Sequence, residues 1–250
     1  MHRVLFTIGP LTVYSYGFTL AVAFLVGVWI SGRRAASFGL TRAAVHDSAV
    51  PVLLAGLAGA KLLYFAVEWG NASRDFGDLF TAIRGGFVFY GGVIGGVLGA
   101  LWWLKRRALP VSAYADTTAP ALAISLAVGR LGCWFNGCCY GKPVSWGWAV
   151  PELGDGTPRH PVQLYEAGGA LAIGLALMAV PAPKRRASLF ALFLVAYAIM
   201  RFGLEFLRDD PRGPAIAGMS VSQAASVLGL LAGLVIVLAG SRSGRKGGVS

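Results

Sequence analysis

The stretch from Ala187 to Leu207 reads ASLFALFLVAYAIMRFGLEFL, with Lys184, Arg185 and Arg186 before it and Arg208 after it. A helix rises ~1.5 Å per residue, so about 20 residues cross the hydrocarbon core of a bilayer. The stretch has that length and holds only two charges, Arg201 and Glu205. It reads as a membrane span with an ionic pair inside it, and the fold class follows from how often the pattern recurs.

Six further windows fit, at roughly 14–31, 47–68, 86–104, 116–135, 163–181 and 219–240. The fourth in chain order is the weakest, because Asp116 and Arg130 lie inside it. Of the 250 residues, 56% are hydrophobic and 13% charged. Soluble domains carry about 25% charged residues, and a solvated disordered chain is far less apolar, so both classes are excluded. The expected architecture is an all-α integral membrane protein with seven transmembrane helices in a single transmembrane domain over residues 1–250. No internal repeat is apparent.

The formal net charge is +11. Nucleic-acid binding would need a basic face on a globular domain. Here twelve basic residues fall in four short clusters: Arg33, Arg34 and Arg42; Lys105, Arg106 and Arg107; Lys184, Arg185 and Arg186; Arg242, Arg245 and Lys246. They occupy every second connection, so the positive-inside rule places the N-terminus outside and the C-terminus in the cytoplasm. The other connections mix charges, as with Glu68, Arg74, Asp75, Asp78 and Arg84, or Glu152 and Arg159, or Asp210 and Arg212. No nucleic-acid partner is expected. Met1 to Gly17 lacks a basic n-region, an h-region and an A-x-A site, so no removable signal peptide is expected. One long external connection, at about 137–162, carries Trp146 and Trp148, residues suited to a membrane interface.

Ionisable groups inside spans are costly and are functional candidates by default. Tyr197, Arg201, Glu205 and Arg208 follow at helical spacing and share one face. Arg201 and Glu205 alone read equally as an intrahelical ion pair that eases insertion. Together with Arg130, near the same membrane depth, they point to an anion site, since guanidinium forks match phosphate oxygens and phospholipid headgroups are the abundant anions there. Lys61 in the second span reads as a snorkelling or paired side chain. Gly91, Gly95 and Gly99 form one close-approach face of the third span.

The fourth span ends in a run from Gly129 to Gly141 that contains all three cysteines, Cys133, Cys138 and Cys139. Its glycines argue for irregular backbone that lines a cavity or is buried in protein. The Cys-x4-Cys-Cys spacing, with His160 downstream, lacks the paired spacings of zinc sites, so no metal or other cofactor is expected. A disulfide through Cys133 and plain buried thiols both remain open.

Several blocks resemble one family: Tyr14-Ser15-Tyr16-Gly17; Arg84-Gly85 through Tyr90-Gly91-Gly92 to Gly95; Gly129-Arg130-Leu131-Gly132 running to Asn136-Gly137 and Tyr140-Gly141; Arg159-His160-Pro161-Val162-Gln163-Leu164-Tyr165-Glu166; and Tyr197 through Arg201-Phe202 to Glu205 and Arg208. In this order and over nearly the whole chain they are similar to the prolipoprotein diacylglyceryl transferases. The resemblance implies an enzyme of the bacterial cytoplasmic (inner) membrane. It would move the diacylglyceryl group of phosphatidylglycerol to the lipobox cysteine thiol in a prolipoprotein signal peptide, at the outer leaflet, with release of glycerol 1-phosphate. Carried over residue by residue, it implies catalytic roles for Tyr16, Tyr90, Arg201 and Glu205, phosphate binding by Arg130 and Arg201, and support from Asn136, Gly141, Tyr197, Cys133 and Cys138. No cofactor is implied.

Three positions depart from the family pattern. Tyr90 stands where the third-span block has a histidine, and a phenol with an ordinary pKa near ~10 is a poorer base at neutral pH than an imidazole near ~6.5. Cys133 and Cys138 stand where the fourth-span block has asparagine and glutamate. The departures leave two alternatives beside the transferase: a related membrane transferase with a different acceptor, or a noncatalytic lipid-binding homologue. A channel or secondary transporter is disfavoured, because the intramembrane charges gather at one side rather than at the midplane.

Overall fold

The computed structural model describes residues 2–9, 11–67, 86–150, 153–183, 187–209 and 218–245. Of the charged residues used above, Glu68, Arg74, Asp75, Asp78, Arg84, Glu152, Lys184, Arg185, Arg186, Asp210, Arg212 and Lys246 lie outside the described residues, as does Gly85 of the third-span block.

Seven α-helices are present among the described residues: α1 (Ser15–Arg34), α2 (Arg42–Val67), α3 (Phe89–Arg106), α4 (Val111–Asn136), α5 (Val162–Ala179), α6 (Ser188–Glu205) and α7 (Val221–Arg245). Each coincides with one of the seven apolar windows. Six segments are long and apolar enough to cross a membrane: Ser15–Phe38, Arg42–Val67, Val111–Asn136, Val162–Ala179, Ser188–Glu205 and Val221–Leu238. The chain is a multi-pass membrane protein. α3 is less apolar because it ends in Lys105 and Arg106, which suit the negative end of a helix dipole.

The all-α architecture is accompanied by two short hairpins. β1 (Val4–Ile8) and β2 (Leu11–Tyr14) form an antiparallel hairpin before α1, and β3 (Pro143–Ala149) pairs with β4 (Pro158–Arg159) in the connection between α4 and α5. Both lie beside the ends of α1 and α4 that face the charged residues. The first hairpin folds back so that Arg3 Nε donates to the Asn136 carbonyl at 3.2 Å, answering a free acceptor at the C-terminal end of α4.

α4 is the central helix and packs on α1, α5 and α6, while α7 packs on α6. Small α4 residues make this crowding feasible: Ala119 and Ala123 meet Leu177 of α5 and Leu189 and Phe193 of α6, all buried. Asp116, the charge that weakened the fourth window, is buried, and its Oδ1 accepts the Phe190 backbone N–H at 3.0 Å. α6 has no side-chain cap of its own, so this carboxylate from α4 serves its first turn, where acidic groups are favoured.

α2 and α3 form a second tight pair through glycine. Gly91, Gly95 and Gly99 are buried on the face that meets Ala55 and Gly59 of α2. A Cβ at Gly95 would stand 3.0 Å from Gly59 Cα, against backbone that cannot yield. Close approach of this kind supplies dispersion contact where lipid removes the hydrophobic drive between helices.

Gly95→Leu is expected to destabilise the purified protein by about 1–3 kcal/mol in detergent, the usual cost of overpacking. Gly168→Ala, where a Cβ meets nothing within 4 Å, should leave the melting temperature unchanged or slightly higher. Thermal unfolding followed by circular dichroism checks both, and an unaffected Gly95→Leu would refute the close-packing assignment.

Candidate functional site

Because helices alternate in direction, the C-terminal end of α4, the N-terminal end of α5 and the C-terminal end of α6 meet on one side. Each brings charge. Glu166, in the second turn of α5, is fully buried, with 0% of its side chain exposed. Its Oε1 lies 2.9 Å from Arg130 Nη2, accepts the Tyr197 hydroxyl at 2.6 Å and stands 3.7 Å from Arg201 Nε. Its Oε2 lies 3.8 Å from Arg208 Nη1. One carboxylate thus gathers three guanidiniums and a phenol.

A second carboxylate flanks the first. Glu205 Oε2 pairs with Arg201 Nη1 at 2.7 Å and lies 3.8 Å from Arg208 Nε, while its Oε1 accepts the Ser220 hydroxyl at 2.6 Å. The intrahelical pair read from sequence exists, and it is one edge of a larger network. Three arginines against two glutamates give these five side chains a net charge of +1. The arginine side chains differ in access: Arg208 is 3% exposed, Arg201 7% and Arg130 18%. Arg130 is the member most open to a ligand.

The connection after α4 closes over this cluster. Gly137, at φ +70°, ends α4 in a left-handed turn whose N–H bonds the Trp134 carbonyl. Gly141 forms an isolated β-bridge with Arg208, supported by Lys142 N–H to the Leu207 carbonyl at 2.8 Å. Gly141 permits this approach: a Cβ there would lie 2.7 Å from the His160 Cβ, the Leu207 carbonyl oxygen and the Val162 Cγ2. Gln163 Nε2 donates to the Cys138 carbonyl at 2.7 Å. Arg159 bridges Asp209 at 2.7 Å and Asp155 at 3.1 Å, with its guanidinium over the Tyr140 ring. The Thr157 backbone N–H, then Arg159, hold the Asp155 carboxyl below its usual range.

The structure sorts the sequence candidates. Arg130, Tyr197, Arg201 and Glu205 come together. Tyr16 sits on α1 with its ring against Gly132 of α4, and Asn136 ends α4 with its carbonyl held by Arg3. The Arg130 Nη1 lies 3.8 Å from the Cys133 sulfur and 3.9 Å from that of Cys139. All three cysteines are free thiols, so the disulfide left open for Cys133 is not formed. Tyr90, in the first turn of α3, packs edge-on against Phe89 on a helix that pairs with α2, and among the described residues no hydrogen bond joins it to the arginines. Lys61 lies over the rings of Tyr64, Phe65 and Phe87, a packing role.

Sequence reasoning gave no role to Glu166, and it placed Arg208 on the charged face without assigning it a role. The signal for Glu166 was present, since it is the only charged residue between Val162 and Ala179. Glu166→Ala is expected to cost about 3–5 kcal/mol, because it strands buried guanidiniums without their counter-charge. Glu166→Gln should also destabilise while keeping the shape. Equal melting temperatures for Glu166→Ala and the unmodified protein would refute the hub.

The model of one family, prolipoprotein diacylglyceryl transferase, matches residues 3–239 of the chain. The phosphatidylglycerol–prolipoprotein diacylglyceryl transferase 2 of Clostridium perfringens is 32% identical over 98% of this chain and 98% of its own length. The transferase of Bordetella bronchiseptica is 33% identical over 92% of each chain, and transferase 1 of Streptomyces coelicolor is 33% identical over 96% of this chain and 73% of its own. Such coverage runs through the helices, the charged cluster and the loop that closes on it. The chain belongs to the prolipoprotein diacylglyceryl transferase family.

Proposed function

We propose that this protein transfers the diacylglyceryl group of phosphatidylglycerol to the lipobox cysteine thiol of prolipoprotein signal peptides, at the outer-leaflet side of the bacterial inner membrane. The observation that carries the reading is the net positive arginine cluster, with Arg130 as its most accessible guanidinium. A phosphate monoester leaving group gains charge as its carbon–oxygen bond breaks. Fixed cations in a dry site favour that change more than they favour the diester substrate.

In the reaction the acceptor sulfur attacks the glyceryl carbon, a thioether forms, and the bond to the phosphate oxygen breaks. The thiol proton ends on the released glycerol 1-phosphate, so charge and atoms balance. Arg130 and Arg201 bind the phosphate and stabilise it as it leaves. Glu205 and Glu166 hold the guanidiniums in place, Tyr197 fixes Glu166, and Tyr16, Asn136 and Gly141 shape the mouth of the site at the ends of α1 and α4. Cys133 supports Arg130 from the α4 end, and Cys138 supports Cys133 from the turn that follows.

The same reading takes residues 1–250 as one transmembrane domain with α3 as the seventh crossing, the N-terminus outside and the connection at 137–162 external. Its support is the alternation of basic clusters and the convergence of the charged residues on the side opposite those clusters.

Arg130→Ala and Arg201→Ala are each expected to lower lipid transfer about 100-fold or more, the scale seen when one donor to a developing anion is lost. The assay follows the mobility of a prolipoprotein substrate and release of glycerol phosphate from labelled phosphatidylglycerol in membranes. Near-normal turnover in either variant, at normal membrane level, would overturn the clamp. Failure of the unmodified chain to restore lipidation in a conditional strain lacking the transferase would overturn the proposed reaction.

A further inference from the structure

The three thiols form a cluster whose own sulfur chemistry takes no part in the proposed transfer. Cys133 lies in the last turn of α4, buried, and Cys138 and Cys139 follow in the turn beyond Gly137. Their sulfurs all lie within 4.8 Å of one another. Extended backbone would send the side chains of adjacent residues to opposite sides. Cys139 instead has φ +65°, a left-handed conformation that a residue with a Cβ adopts only where its surroundings enforce it. That conformation turns its sulfur back beside Cys138. The Gln163 side chain holds the Cys138 carbonyl at 2.7 Å, and the β-bridge of Gly141 fixes the next turn. The cluster is therefore held by structure around it rather than by chance proximity.

We propose that Cys133, Cys138 and Cys139 bind a thiophilic divalent cation of the zinc class through their three sulfurs, with Arg130 as the charge partner beside it. Bonds of ~2.3 Å place three sulfurs about 3.8 Å apart around a tetrahedral ion. Reaching that spacing from sulfurs within 4.8 Å of one another needs at most about 1 Å of closure shared among three side chains, within side-chain torsional adjustment. Charge balance favours a divalent ion. Three thiolates and one divalent cation leave −1, and Arg130, whose Nη1 is 3.8 Å from the Cys133 sulfur and 3.9 Å from the Cys139 sulfur, brings the site to neutrality. Binding releases the three thiol protons to solvent, so uptake strengthens as pH rises. Among the described residues three ligands gather here, and a tetrahedral ion would take a solvent molecule as its fourth.

The site also bears on the anion clamp. Arg130 joins the sulfurs through Nη1 and Glu166 through Nη2. A filled site would fix one edge of that guanidinium by tris-thiolate charge and offset the +1 of the five-residue cluster, so it would weaken the pull on an anion while holding Arg130 more tightly.

Cadmium titration of the purified full-length chain in detergent, reduced and stripped with chelator, tests this independently of any transfer activity. The sulfur-to-cadmium charge-transfer band in the ultraviolet should saturate at one ion per chain and should also develop when cadmium displaces zinc from a zinc-loaded sample. Cys138→Ser and Cys139→Ser should each weaken binding about 10-fold or more, since loss of an outer partner alone costs 10- to 100-fold. The variant with serine at all three positions should show no band. Absence of a band in the reduced unmodified chain would overturn the proposal, as would a band that survives in the triple-serine variant. So would a protein that forms a stable disulfide among these residues and takes up no cadmium after reduction. The unmodified chain carries the test should a serine variant fail to insert, and none of these outcomes depends on lipid turnover.

Discussion

The carboxylate of Glu166 is the constraint on which the functional end of this protein depends. A carboxylate with no exposure is tolerable only when its charge is met, and Glu166 is met by Arg130 from α4, Arg201 and Tyr197 from α6, and Arg208 just beyond α6. Each partner comes from a different turn or helix, so satisfying one residue of α5 sets the relative positions of three helix ends. Dispersion along α4 with α5 and α6 could be met by neighbouring registers. The ionic network accepts only the register in which these groups meet, which is the use for which buried polar networks are best suited.

The loop after α4 completes what the helices begin. Its backbone pairs with the segment that carries Arg208, and Gly141 lets the two chains approach. Arg208 is thereby fixed by its own main chain as well as by two carboxylates. Arg159 then ties the outer part of the loop to Asp209, the residue after Arg208. Position is transmitted from a solvent-facing ion pair to the buried network through consecutive residues of one segment.

The helices were legible in the sequence because the bilayer imposes length and apolarity, and all seven windows coincide with helices. Arg130, Arg201 and Glu205 were legible for the related reason that charge in a span needs a cause. Glu166 obeys the same rule but sat inside a quoted motif, and its partners lie on other helices, so only tertiary contact reveals its role. Asp116 weakened a window and proved to cap the start of α6, a service to a distant segment that local pattern does not encode. The two hairpins escaped because short strands outside the spans leave no periodicity to read. The cysteine cluster escaped because its spacing matches no usual ligand pattern, and its closure rests on the left-handed backbone of Cys139. Tyr90 was legible only through its motif position, and its helix packs on α2.

The departures from the family pattern look graver in sequence than in space. Replacing a glutamate by Cys138 appears to deprive an arginine of its partner. In the structure Arg130 has its carboxylate in Glu166, from a separate helix, at 2.9 Å. The clamp therefore does not need an acid in the loop, and a thiol there leaves the net charge of the five-residue cluster at +1. An additional loop carboxylate would bring the local sum to zero and compete with a phosphate for Arg130. While the thiols are protonated and hold no cation, the guanidinium keeps soft, weakly accepting neighbours that do not saturate it, and its exposed edge stays available to an incoming anion.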